Sequence, residues 1–203
     1  MLKIKPVSLE GKYVILRPPS LNDFDGLSSA VQDGDIWNNP YALFPNLGEM
    51  PQYLQGLVKE QKSILPFMMI DKQLNKIVGT TRYLNIDCDN HRLEIGHTWI
   101  AKSFRRTGVN TESKFLMLQH AFEKLNCIAV EIRTDVLNEV SRKAIERLGA
   151  KQDGVLRNHK IMRNGRIRDT VCYSVIQSEW PSVKENLLQK MINHDNNYNM
   201  IFS

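Results

Sequence analysis

Leu93-Glu94-Ile95-Gly96-His97-Thr98-Trp99-Ile100-Ala101-Lys102-Ser103-Phe104-Arg105-Arg106-Thr107-Gly108-Val109-Asn110-Thr111 is the stretch that decides the fold of this chain. Its opening alternates, with Leu93, Ile95, His97 and Trp99 on one face and Glu94, Gly96 and Thr98 on the other, which is the period of a strand. A basic turn containing Gly108 follows. Beyond it Phe115, Leu118, Phe122 and Leu125 fall at helical spacing, with Asn110 or Thr111 as the cap of that helix. A strand that feeds a glycine turn into a helix presents unpaired backbone N–H groups and the positive end of a helix dipole, a place for phosphate or pyrophosphate. The turn is neither a Walker loop nor a dinucleotide G-x-G-x-x-G.

The frame around this stretch is that of one globular domain. The chain has 203 residues, 42% hydrophobic and 24% charged, enough to bury a core. No apolar run reaches the ~18 residues of a membrane span, and Met1-Leu2-Lys3-Ile4-Lys5-Pro6 lacks the apolar region of a signal peptide. Cys88, Cys127 and Cys172 are odd in number and without metal-ligand spacing, so they read as reduced thiols of a cytoplasmic protein, with no disulfide and no metal. The net charge of +5 suits an anionic ligand. Its basic residues are dispersed, clustering only at Arg105-Arg106 and between Arg157 and Arg168, so nucleic acid is not the expected partner.

Along the chain, Lys12 to Arg17 reads as a strand stopped by Pro18-Pro19, and Ser20 with Asp23 starts a helix through Leu27 and Val31. Residues 33–48 form an aromatic loop containing Trp37, Tyr41 and Phe44, and a helix runs from Pro51 to about Ser63. Phe67–Asp71 and Ile77–Tyr83 are strands. After the central helix, Ile128, Val130, Ile132 and Thr134 alternate as another strand. Asn138 caps a helix that ends at Leu148 before Gly149, and its inward face carries Ser141, Ala144, Ile145 and Leu148. Val155–Met162 and Ile167–Ile176 flank Asn164-Gly165, a hairpin signal whose two-residue loop places Lys160 opposite Asp169. A last helix spans Pro181 to Met191. The expected class is α+β, on a mostly antiparallel sheet with a parallel pair in the middle. The domain covers residues 8–190, and 191–203 is a polar tail expected to be disordered.

That order resembles the GNAT superfamily of N-acetyltransferases, whose acetyl-CoA signature R/Q-x-x-G-x-G/A is matched at Arg105 and Gly108 and departed from at Asn110, where the pattern has Gly or Ala. Thr134 to Ser141 and Ala144 to Ala150 resemble the family's strand–Asn–helix–LGF segment. Leu9 to Pro18, Arg166 to Thr170 and Glu179-Trp180-Pro181 resemble the subgroup of ribosomal-protein N-terminal acetyltransferases.

The resemblance implies an enzyme that moves an acetyl group from acetyl-CoA to a primary amine, on a protein N-terminus or a small molecule. It implies that the backbone of Arg106, Thr107, Gly108, Val109, Asn110 and Thr111, with the charges of Arg105 and Arg106, holds the pyrophosphate. The free backbone groups of Trp99 and Ile100 would pair with the pantetheine arm, and Asn138 would touch it. Many relatives protonate the leaving thiolate with a Tyr where this chain has Ile145; Ser141 is the substitute found in the ribosomal subgroup. For the base, Glu94 comes first, with His97 and solvent as alternatives. Strand parity puts His97 on the face opposite Glu94 unless a bulge intervenes. Three other readings stay open: a non-catalytic acyl-CoA-binding module, an RNA- or ribosome-associated protein, and a homodimer paired through the C-terminal hairpin.

Overall fold

The computed structural model describes residues 4–59 and 63–201. Eight strands form a single sheet: β1 Leu9–Glu10, β2 Val14–Arg17, β3 Leu65–Asp71, β4 Lys76–Asp87, β5 Arg92–Ile100, β6 Ala129–Asp135, β7 Lys151–Ile161 and β8 Ile167–Ile176. Their spatial order is β1-β2-β3-β4-β5-β6-β8-β7. Every neighbouring pair is antiparallel except β5–β6, which is parallel. The α+β reading with a central parallel pair therefore holds.

Five α-helices cover the two faces: α1 Phe24–Gln32, α2 Met50–Val58, α3 Gly108–Gln119, α4 Glu139–Leu148 and α5 Trp180–Ile201. Two buried clusters follow from strand alternation. On one face Leu93, Ile95 and Ile100 pack with Val109, Phe115 and Leu118 of α3, Ile145 and Leu148 of α4, and Leu187 of α5. On the other, Met68 and Trp99 pack with Leu27 and Val31 of α1 and Leu54 and Leu57 of α2.

Several expectations shift in detail. The helix begun at Pro51 starts at Met50 and ends at Val58, and the last part of its expected range, residues 60–62, lies outside the described residues. The helix expected to stop near Met191 continues to Ile201. Nothing in the sequence breaks it, since no Gly or Pro follows Pro181. The β7–β8 hairpin turns on three residues. The Met162 N–H donates to the Arg166 carbonyl (2.9 Å), the Gly165 N–H to the Met162 carbonyl (2.9 Å), and Gly165 takes φ +78°. This is a type I turn closed by a left-handed glycine, and it pairs Lys160 with Arg168 instead of Asp169. α3 is capped by Thr107, ahead of the Asn110 or Thr111 expected from the sequence. The Thr107 hydroxyl accepts from the Val109 N–H (3.4 Å) and donates to the Phe104 carbonyl (2.7 Å).

Candidate active site

The site begins where β5 leaves β6. Their parallel pairing covers only Arg92–Glu94 against Ala129–Glu131, so beyond Glu94 β5 has no strand partner on that side among the described residues. Just past the parting, β5 is bulged. Gly96 lies opposite Arg82 and Trp99 opposite Thr80, so Thr81 alone faces His97 and Thr98. His97 takes φ +47°, a left-handed conformation that a non-glycine residue holds only where its surroundings impose it. The extra residue changes the parity of the strand. Before it, odd-numbered Leu93 and Ile95 face α3; after it, even-numbered Ile100 does, and Trp99 joins the α1–α2 cluster.

Glu94 is buried, at 7% exposure. Its Oε2 accepts from Asn85 Nδ2 at 2.7 Å and lies 3.5 Å from Arg133 Nε. Oε1 has no hydrogen bond among the described residues. It looks toward Gly96, where a Cβ would stand 3.0 Å from it and 2.8 Å from Leu84. Burial pushes the carboxyl above its ordinary pKa, while Arg133 and Asn85 pull it back. A carboxylate of raised basicity with one open oxygen is suited to take a proton.

His97 feels the charges of Arg82, Lys160 and Arg168. Crowding by protein and those cations lower it to about 4. His97 is nonetheless exposed as a residue, so it lies in a crowded, electropositive recess that is open to water. Arg168 and Lys160 also act on Glu94. The bulge therefore sets His97 among cations that also act on Glu94, although plain strand parity would put the two on opposite faces.

A hub absent from the sequence reading fixes the α2 side. Tyr53 Oη takes hydrogen bonds from Trp99 Nε1 (3.1 Å) and Arg82 Nη2 (3.0 Å). With both lone pairs used, its own proton goes to Thr80 Oγ1 at 2.9 Å. Tyr53 gave no signal in sequence because a tyrosine on an amphipathic helix reads as core. On the other face, Lys114 Nζ is buried and donates to Thr98 Oγ1 at 2.6 Å, with no carboxylate partner among the described residues. Burial lowers it to about 7.

Beyond β5 the chain turns through exposed Arg105 and Arg106 into α3. Neither arginine pairs with a carboxylate among the described residues. Arg105 Nε donates to the Ile100 carbonyl at 3.4 Å, and Arg106 is left-handed, at φ +63°. The N–H groups that open α3 have no carbonyl one turn back. By the same i→i−4 pattern the Thr111 N–H belongs to the helix and the Val109 N–H goes to the Thr107 hydroxyl, so the open donors are those of Gly108 and Asn110. A Cβ on Gly108 would stand 2.7 Å from the Tyr13 ring, so this glycine is required by packing as well. Asn110 Oδ1 is buried without a hydrogen-bond partner, an orphaned polar atom in the helix's first turn of the kind a ligand's polar groups satisfy. These features fit a cofactor with an anionic end and an amide-bearing arm.

The far wall is α4. Asn138 Oδ1 accepts from the Ser141 N–H at 3.1 Å, so the expected helix cap is present. Ser141 is half-buried, and Ile145, where many relatives have Tyr, lies in the core at 5% exposure. Among the described residues no three His, Cys, Asp or Glu side chains gather as a metal site, and no helix is long and apolar enough to cross a membrane.

The acetyltransferase (GNAT) domain family matches residues 14–151. YdaF of Bacillus subtilis (strain 168), whose name marks it as a candidate ribosomal N-acetyltransferase, is 38% identical over 108 residues, which are 53% of this chain and 58% of that protein. Among solved structures, a GCN5-related N-acetyltransferase from Brucella melitensis superposes with a TM-score of 0.85 at 29% identity, covering 93% of this chain and 87% of that one. Mycobacterium smegmatis RimJ, solved in complex with CoA-disulfide, shares the fold with a TM-score of 0.78 at 21% identity, over 91% and 95% of the two chains. With the family match spanning most of the sheet, the parted strands and the turn into α3, this chain belongs to the acetyltransferase (GNAT) domain family.

Proposed function

We propose that the protein transfers an acetyl group from acetyl-CoA to a primary amine, and that the parting of β5 from β6 beside buried Glu94 is the place where it does so. That parting carries the reading, because beyond Glu94 it leaves β5 with an edge that has no strand partner among the described residues, and that strand runs on into the turn that opens α3. Relatives named as acetyltransferases, one carrying a ribosomal designation and one solved with a CoA disulfide, support the same donor.

Acetyl-CoA, when bound, supplies the activated acetyl group. The first-turn N–H groups of α3, that of Asn110 among them, with Arg105 and Arg106, neutralise its pyrophosphate. The backbone of Trp99 and Ile100, past the bulge, aligns the arm and donates to the acetyl carbonyl. Glu94 Oε1 removes the proton from the incoming ammonium, directly or through water. His97 stays neutral at physiological pH and borders the acceptor. Ser141, on the first turn of α4, offers its hydroxyl to the departing sulfur, and Asn138 holds that turn in place. Ile145 only packs. Three unbonded cysteines fit the reducing cytoplasm we propose for the protein.

Calorimetric titration with acetyl-CoA, followed in the same sample by thiol release against a panel of amines and N-terminal peptides, tests this. Binding with release on one amine class is the expected result. Binding without release on any of them would move the protein to the acyl-CoA-binding modules, and no binding would remove the site.

A further inference from the structure

We propose that the acceptor amine carries a carboxylate a few atoms from its nitrogen, seated among Arg82, Lys160 and Arg168 beside His97. This rests on the acetyl-transfer reading and narrows its acceptor.

The recess facing His97 holds more positive charge than the protein neutralises. Arg82 stands directly opposite Gly96 on β4. Among the described residues its guanidinium hydrogen-bonds only the Tyr53 hydroxyl (3.0 Å) and lies 5.6 Å from the centre of that ring, and its Nε is buried without a hydrogen bond. No carboxylate among the described residues pairs with it. Arg168, on β8, also buries an unbonded Nε. Its nearest carboxylate oxygen, Asp135 Oδ2, is 3.9 Å away and already engaged by Arg166, while Asp135 Oδ1 accepts from the Leu137 N–H. Lys160 sits directly across from Arg168 in the hairpin register, a like-charge pair that destabilises a sheet.

Of the other charged groups near this recess, Glu94 acts on Lys160 and Arg168 without forming an ion pair with either among the described residues. Arg133 is held by Glu131 at 2.7 Å, and Arg92 by the same carboxylate at 2.8 Å. Arg105 and Arg106 follow the end of β5, where they serve the α3 opening, so the pyrophosphate does not account for the three cations. Two guanidinium Nε atoms stripped of water and left without acceptors are costly unless an anion completes them. An arginine fork matches a carboxylate bidentately. A carboxylate bound there would leave the acceptor's amine on the side of Glu94, whose Oε1 is open. The anion has two chemical sources, the α-carboxylate of a free amino acid or the acidic side chain of a peptide's first residue.

Two matched pairs of acceptors distinguish them at equal free-amine concentration: phenylalanine against phenylalaninamide, and Asp-Gly-Gly-amide against Asn-Gly-Gly-amide. The carboxylate member of one pair is expected to show at least tenfold higher kcat/KM, and that pair names the source. In Lys160→Ala and Arg168→Gln the ratio should fall toward one. A second readout needs no turnover. In dead-end complexes with CoA, the NMR titration midpoint of His97 should rise when the carboxylate acceptor binds and stay put with its neutral partner. A His97 shift without any transfer would keep the anion site and overturn the transfer reading. Transfer with ratios near one and no shift would overturn the anion site and leave the transfer reading standing.

Discussion

Glu94 and Ser141 differ in how much of their proposed role the surroundings supply. Glu94 has a built environment: burial, one committed oxygen and one open oxygen. Glu94→Gln should lower kcat/KM by about 100-fold at neutral pH, the low end for a general base. The acid limb of the wild-type profile should fall off above the pH of an ordinary glutamate, since the carboxyl is raised and must be ionised to act. A profile governed only by the amine's own pKa, with a wild-type rate in the variant, would hand the proton to solvent. Ser141 has a position and little else. Ser141→Ala should lower kcat about tenfold (~1.4 kcal/mol) with acetyl-CoA affinity retained by calorimetry; an unchanged rate would reduce it to a small residue beside the α4 cap.

At the scale of elements, the turn into α3 separates what sequence patterns reveal from what they conceal. Strand, turn and helix were legible because each has its own period and the turn is basic. The helix start was not, because Thr107 caps it with a hydroxyl three residues ahead of a more conspicuous Asn. The bulge was equally hidden, since His97 and Thr98 continue an alternation that looks regular until Thr81 is found opposite both. The hairpin was placed correctly but miscounted: Asn164-Gly165 signals a two-residue turn as readily as the last part of a three-residue one. For this element, Arg105→Ala combined with Arg106→Ala should weaken acetyl-CoA binding about tenfold or more. The remaining affinity should depend less on salt than in the wild type. An unchanged Kd would relocate the pyrophosphate.

Two buried charged groups on α3 tie the whole molecule together, and neither could be assigned from the sequence, where charged residues on an amphipathic helix read as its wet face. The Glu112 carboxylate accepts from the N–H groups of Lys12, Tyr13 and Val14 at 2.7, 2.7 and 2.9 Å, fastening the start of β2 to the helix. Glu112→Gln turns one oxygen into a donor against those N–H groups and should cost about 1–3 kcal/mol in urea unfolding. Lys114 fastens the same helix to the bulge through Thr98. Its pKa is lowered to about 7, against ~10.4 in an unfolded chain. Between those values the unfolded state holds the extra proton, so stability should rise with pH from about 7 upward. Lys114→Met should flatten that rise in unfolding experiments at pH 7 and pH 9; an unaltered slope would mean the amine is solvated.

The bulge also sets a rule for the gene's reading of this strand. Because one surplus residue swaps the faces on which Trp99 and Ile100 lie, chain length between Gly96 and Trp99 matters more than which residues fill it. Deleting either His97 or Thr98 would turn Trp99 away from Tyr53 and Ile100 away from Val109, whereas exchanging either side chain would leave both where they are. Single-codon deletions in this short window should therefore be far less tolerated than missense changes at the same two positions.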